Sequence, residues 1–229
     1  MLTAEILTAA MLDTKPDTRT RKRYCIALGA LARFAQLGID LKPYSGSYSP
    51  SKVTPRELPD DRTIVQWYYK ISDRPWQWIY GMLATYGLRP HEAFNLSIDD
   101  MPIATVLDGK TGARQVWACF PEWVEQFDLL NGMRPTAAAK NNTYLGAKVN
   151  KFFKRVGIPF QPYDLRHAWA IRTLEFGLDI SLAAQQMGHS VQVHSTTYHQ
   201  WITHRHHQRA YEALMMRSDR PKPPSIDDL

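Results

Sequence analysis

The chain has 229 residues with 44% hydrophobic content, enough for one large domain or a domain plus a fragment, and its net charge of +6 is uneven: basic flanks over residues 1–58 and 134–220 enclose an acidic middle. Seven tryptophans, eleven tyrosines and eight phenylalanines exclude disorder over most of the length, and two cysteines, Cys25 and Cys119, exclude a disulfide framework or a paired zinc site. No stretch approaches the ~20 apolar residues of a membrane span, and the N-terminus lacks a secretion-signal pattern, so a soluble, cytoplasmic protein with two buried thiols is expected.

From Arg21 to Gly38, the residues Tyr24, Leu28, Leu31, Phe34 and Leu37 recur at helical spacing, predicting an amphipathic helix stopped by Gly38. So short a helix is marginal alone in water and has to pack on the main domain, another protomer or a partner. Residues Lys42 to Ser51, rich in proline, serine and glycine, read as a linker. The expected division is a helical fragment and linker over 1–58, a main domain over 59–220 and a flexible tail over 221–229.

Asp60 or Asp61 is placed to cap a helix carrying Ile64, Trp67, Tyr68 and Ile71 on one side. Pro75 opens the next helix, with Trp76, Ile79, Tyr80 and Leu83 facing the core until Gly87, and Pro90 opens a short helix through Asn95. Residues 103–107 and 114–119, joined by a glycine-containing turn, predict a hairpin. Further helices are expected from Glu122 to Leu130, from Asn141 to Val156, from Leu165 to Phe176 capped by Asp164, from Leu182 to Met187 capped by Ser181, and from Thr203 to Arg217.

Four short runs carry chemistry. They are Arg89-Pro90-His91-Glu92, Tyr163-Asp164-Leu165-Arg166-His167, Met187-Gly188-His189, and Tyr198 nine residues after His189. In this order, with a Lys110-containing hairpin between the first two, they resemble the catalytic domain of the tyrosine recombinases, the phage-integrase family, over about residues 59 to 217. The resemblance implies a mainly α fold with a small antiparallel β-sheet and a covalent 3′-phosphotyrosine intermediate. It also implies a prokaryotic or mobile-element origin and a homotetramer on double-stranded DNA, with the C-terminal helix docking on a neighbour.

The residue types suit that chemistry on their own terms. Attack on a phosphodiester builds charge on equatorial oxygens, and two fork-shaped, permanently charged guanidiniums, Arg89 and Arg166, are suited to clamp them. A phenol with pKa near ~10 needs its proton removed or its developing charge stabilised, which the arginines and His189 can do for Tyr198. Lys110 on the hairpin is the expected proton donor to the leaving 5′-oxygen, with Lys140 and Lys148 as alternatives. Tyr163 stands where many family members have histidine: it can donate a hydrogen bond but cannot act as imidazolium. Glu92 is expected to orient an arginine or a helix end, His167 to buttress the site, and Trp201 to pack beside it.

Other readings stand beside these. Taken singly, Arg89 and Arg166 also read as surface ion-pair partners of Glu92 and Asp164. A zinc reading of His199, His204, His206 and His207 lacks the i, i+4 ligand pair, so neither metal nor cofactor is expected. For the whole chain the alternatives are a DNA-binding regulator that keeps the fold without strand transfer, and a type IB topoisomerase-like relaxing enzyme.

Overall fold

The computed structural model describes residues 1–49, 57–98, 102–109, 112–136, 141–198, 201–202 and 204–223, and the chain falls into two compact units, Met1–Thr54 and Pro55–Leu229. The first is a helical hairpin of α1 (Ala4–Leu12) and α2 (Arg19–Phe34) around Leu7, Met11, Cys25, Ala32 and Leu41. The partner that α2 needs is therefore α1, which lacks a clear apolar periodicity.

The buried face of α2 also differs from the expected one. Arg21, Cys25 and Ala32 point inward, while Tyr24, Leu31 and Phe34 are exposed, Phe34 by 87%. Arg21 accounts for the rotation. Its guanidinium turns back onto the end of α1, with Nε donating to Thr14 Oγ1 at 2.6 Å and Nη2 to the carbonyls of Leu12 and Thr14. A cation there satisfies orphan carbonyls and complements the helix dipole. The segment read as a linker starts inside this unit: Leu41 is buried, Lys42–Ser45 forms a 3-10 turn, and Asp17 Oδ1 accepts from Ser47 N at 2.6 Å.

The second unit is built on α4 (Arg74–Tyr86), buried on every face from Gln77 onward rather than along one stripe. It packs against α3 (Asp61–Lys70) and α7 (Pro162–Glu175), with α5 (Glu122–Gln126) and α6 (Asn142–Val156) closing the core. Aromatic bulk fills this core while its polar tips reach carbonyls: Tyr68 Oη donates to Phe127 O at 2.6 Å, Tyr80 Oη to Ile64 O at 3.0 Å, and Trp78 Nε1 to Leu129 O at 2.8 Å. Cys25 is buried and Cys119 half-buried.

The hairpin forms as expected, β2 (Ile103–Val106) antiparallel to β3 (Arg114–Trp117), and gains a third strand, β1 (Leu96–Ser97), in the order β1-β2-β3. Residues 92–94 make a 3-10 turn, a shorter form of the helix expected after Pro90. Two caps move. Gln161 caps α7, with Asp164 reaching back to its backbone N–H at 2.8 Å in a capping box, and Asp179 rather than Ser181 caps α8 (Ile180–Gln186). The segment before Tyr198 is helical, α9 (Val191–Tyr198), and α10 (His204–Met215) ends the described fold. No helix among the described residues is long and apolar enough to cross a membrane.

Candidate active site

The site begins where α4 stops. Gly87 holds a left-handed φ of +58°, and a Cβ there would lie 2.6 Å from Trp169 Cγ, so only glycine allows α4 to end against α7. The chain then turns to Arg89, whose backbone N–H donates to Glu92 Oε2 and whose Nη1 donates to Glu92 Oε1, both at 2.7 Å. Glu92 is fully buried and also receives Arg114 Nη1 at 2.8 Å and Nη2 at 2.7 Å. Burial by itself raises a carboxyl's pKa, but the hydrogen bonds and charge of Arg114, with Arg166 and the Arg89 backbone, hold Glu92 at about 2.

The opposite wall is the end of α8. A helix C-terminus leaves carbonyls without intrahelical partners, and here each of three successive ones accepts from a different arginine. Gln186 O takes Arg114 Nε at 2.6 Å, Met187 O takes Arg166 Nη2, and Gly188 O takes Arg89 Nη2 at 2.8 Å. Arg166 also donates through Nη1 to Gly87 O at 2.7 Å. Three cations thus converge on the negative end of one helix dipole, between β3, α7 and the turn after α4. At 2% exposure, burial pulls Arg166 down to about 10, so it keeps its charge at neutral pH. The surface ion-pair reading fails for Arg166, which bonds to carbonyls; the Arg89–Glu92 pair exists, but its carboxylate is fully buried and its guanidinium largely so.

Tyr198 closes the site from the end of α9 at 3% exposure. Its hydroxyl lies 3.3 Å from His167 Nδ1, and its ring centroid lies 4.7 Å from that of His194 and 6.1 Å from that of His189. Burial pushes the phenol up to about 12, against the opposing pull of the Arg166 charge. His189 Nε2 sits 3.0 Å from His194 Nδ1. Burial first, then the charge of Arg166, lowers both imidazoles, His189 to about 4. Trp201 stacks on His167 at 5.1 Å between centroids.

Arg89, Glu92, Arg166, His167, His189, Tyr198 and Trp201 are therefore brought together. Tyr163 stands at the rim, 42% exposed, with its ring 5.6 Å from that of His167. Lys110 and its alternative Lys140 lie outside the described residues, as do His199 and the side chains of His204 and His206. Lys148 rests over the Tyr144 ring at 5.0 Å on α6. Two residues of the site carry no signal in the sequence. Arg114 is separated from Glu92 by 22 positions and reads as an ordinary hairpin cation, and His194 matches no motif.

A family profile of the XisA/XisC excisase second domain matches residues 1–45. Excisase A of Nostoc sp. is 35% identical over 214 residues, covering 77% of this chain and 45% of that protein. Excisase C of the same organism is 36% identical over 199 residues, covering 69% and 39%. The chain thus spans less than half the length of either relative. Among solved structures, a XerH site-specific recombinase bound to a palindromic difH substrate, in a post-cleavage complex, aligns with a TM-score of 0.58 at 18% identity, over 93% of this chain and 70% of the other. The Tn1549 transposon integrase in complex with a circular intermediate DNA aligns with a TM-score of 0.58 at 14% identity, over 92% and 83%. These two are likenesses of fold.

Proposed function

We propose that this chain, which belongs to the tyrosine recombinase family, cleaves and rejoins double-stranded DNA at a specific site through Tyr198. The observation that carries the reading is the convergence of Arg89 and Arg166 on the carbonyls at the end of α8, with the charge of both acting on the Tyr198 phenol and His167 beside it. Guanidiniums held in advance on carbonyls need no reorganisation when charge develops on a phosphate.

In this reading Tyr198 Oη attacks phosphorus and the bond to the 5′-oxygen breaks, leaving a 3′-phosphotyrosine and a free 5′-hydroxyl. The phenolic proton passes to His167 Nδ1, its hydrogen-bonding neighbour at 3.3 Å. With the phenol at about 12, proton loss accompanies attack rather than preceding it. Lys110 supplies the proton to the departing oxygen. Rejoining reverses these steps with a 5′-hydroxyl from another strand, so bond energy is conserved.

The test is incubation with nicked duplexes carrying a randomised core, followed by denaturing gel analysis of wild type and Tyr198→Phe. Wild type is expected to form a covalent adduct and Tyr198→Phe none. An adduct with Tyr198→Phe would mean another nucleophile; DNA retention with no adduct from wild type would favour a DNA-binding module without strand transfer. The exposed Tyr211, Leu214 and Met215 of α10 support docking on a neighbour in a DNA-bound tetramer. Sedimentation of the protein on DNA carrying its site should show that assembly, and a monomer at saturation would remove it.

A further inference from the structure

The helix carrying Tyr198 holds a second imidazole one turn earlier. His194 is 1% exposed, its Nδ1 lies 3.0 Å from His189 Nε2, and its ring packs 4.7 Å from that of Tyr198. Its Nε2 is buried with no hydrogen-bond partner among the described residues. An aliphatic side chain would fill such a slot without a desolvation penalty, whereas an imidazole with one nitrogen unsatisfied costs free energy. The contact with His189 is the compensation visible in the structure.

That contact needs one N–H and one lone pair, and the surroundings decide which ring supplies each. If His189 Nε2 donated, neutral His194 would carry its proton on the buried Nε2, an N–H with no acceptor. If His194 Nδ1 donates, its Nε2 is only a bare lone pair. Orphaned buried donors are the rarer defect, so the second arrangement is favoured. A protonated ring at either position is opposed by burial and by the charge of Arg166 from α7, and at His189 also by Arg89 from the turn after α4 and Arg114 from β3.

We propose that His194 is a positioning residue for strand cleavage, donating from Nδ1 to His189 Nε2 so that His189 keeps its proton on Nδ1, the nitrogen it has left to offer a phosphate oxygen, while the His194 ring braces Tyr198. This rests on the cleavage reading above. The hydrogen bond itself exists without DNA and can be measured separately.

Two variants separate the parts. His194→Phe keeps an aromatic ring but removes the bond, and His194→Asn retains a donor near the Nδ1 position. Imidazole nitrogen NMR of the DNA-free chain should show His189 protonated on Nδ1 in wild type and His194→Asn, and on Nε2 in His194→Phe. Single-turnover adduct formation should fall at least ~10-fold in His194→Phe and recover largely in His194→Asn, because a hydrogen bond in a shielded site contributes about that factor. The acid limb of the rate profile should move to higher pH in His194→Phe, since His189, no longer accepting that bond, takes a second proton more readily; mere loss of packing would lower the active fraction without moving the limb. His189 protonated on Nε2 in wild type overturns the proposal even if His194→Phe fails to fold. So does a folded His194→Phe with the wild-type rate and profile, or an Asn variant as slow as Phe. If wild type forms no adduct, the cleavage reading fails and the role in cleavage falls with it, while the NMR arm still judges the His194–His189 bond.

Discussion

Replacing Glu92 with glutamine removes one negative charge from a position with no solvent access and leaves the volume unchanged. The carboxylate accepts the Arg89 backbone N–H, Arg89 Nη1, and Arg114 Nη1 and Nη2, all between 2.7 and 2.8 Å. Glutamine keeps one oxygen and turns an amide NH2 toward a guanidinium, donor against donor. The magnitude follows from the carboxyl being held at about 2 against an ordinary 4.5; at about 1.4 kcal/mol per pH unit this corresponds to about 3 kcal/mol. Breaking a buried ion pair from one side costs about 3–5 kcal/mol in general, so the two routes agree. All seven tryptophans lie between Trp67 and Trp201, so their fluorescence during urea unfolding reports the second unit alone. Because the folded pKa lies below the unfolded one, the contribution is fully present above about pH 4.5 and is lost as pH falls from there toward 2. Wild type should therefore exceed Glu92→Gln by about 3 kcal/mol at pH 7, with the gap closing on acidification. A gap below about 1 kcal/mol at pH 7, or one independent of pH, would mean that the buried Glu92 charge does not hold the second unit together.

Two further outcomes follow from the same geometry. Arg166→Lys loses the fork that bonds Gly87 O and Met187 O together, and its single-turnover adduct formation should fall by about 10²–10³-fold with DNA retention largely kept; an unchanged rate would remove Arg166 from the phosphate clamp. Gly87→Ala puts a methyl 2.6 Å from Trp169 Cγ at a φ of +58° and should destabilise the second unit by about 2 kcal/mol or more in the same fluorescence assay. A loss below about 0.5 kcal/mol would mean that the α4–α7 contact yields freely.

Much of the second unit was readable because its cues are local. Gly87 and Gly157 both end helices in left-handed conformations, Asp60 and Asn141 cap as their side chains allow, and the order of Arg89, Arg166, His189 and Tyr198 is visible by spacing. The missed elements lack such cues. α1 has no apolar period, and α9 runs Val-Gln-Val-His-Ser-Thr-Thr, β-branched residues whose preference is for strands, yet burial of His194 and Tyr198 holds it as helix. On α2 the periodic stripe was real, but the buried face was chosen by Arg21 reaching α1.

The division between sequence and tertiary structure runs through the candidate site itself. Residue type and spacing determined that two guanidiniums, an imidazole and a phenol occur in an order suited to phosphodiester chemistry, since charge and nucleophilicity belong to the side chains. The packing of α8 against β3, α7 and the turn after α4 decided where they meet, because three unsatisfied carbonyls at that helix end draw in Arg89, Arg114 and Arg166 from positions far apart in the chain. The same packing set His167 beside the phenol and His194 against His189, contacts that no pattern along the chain announces.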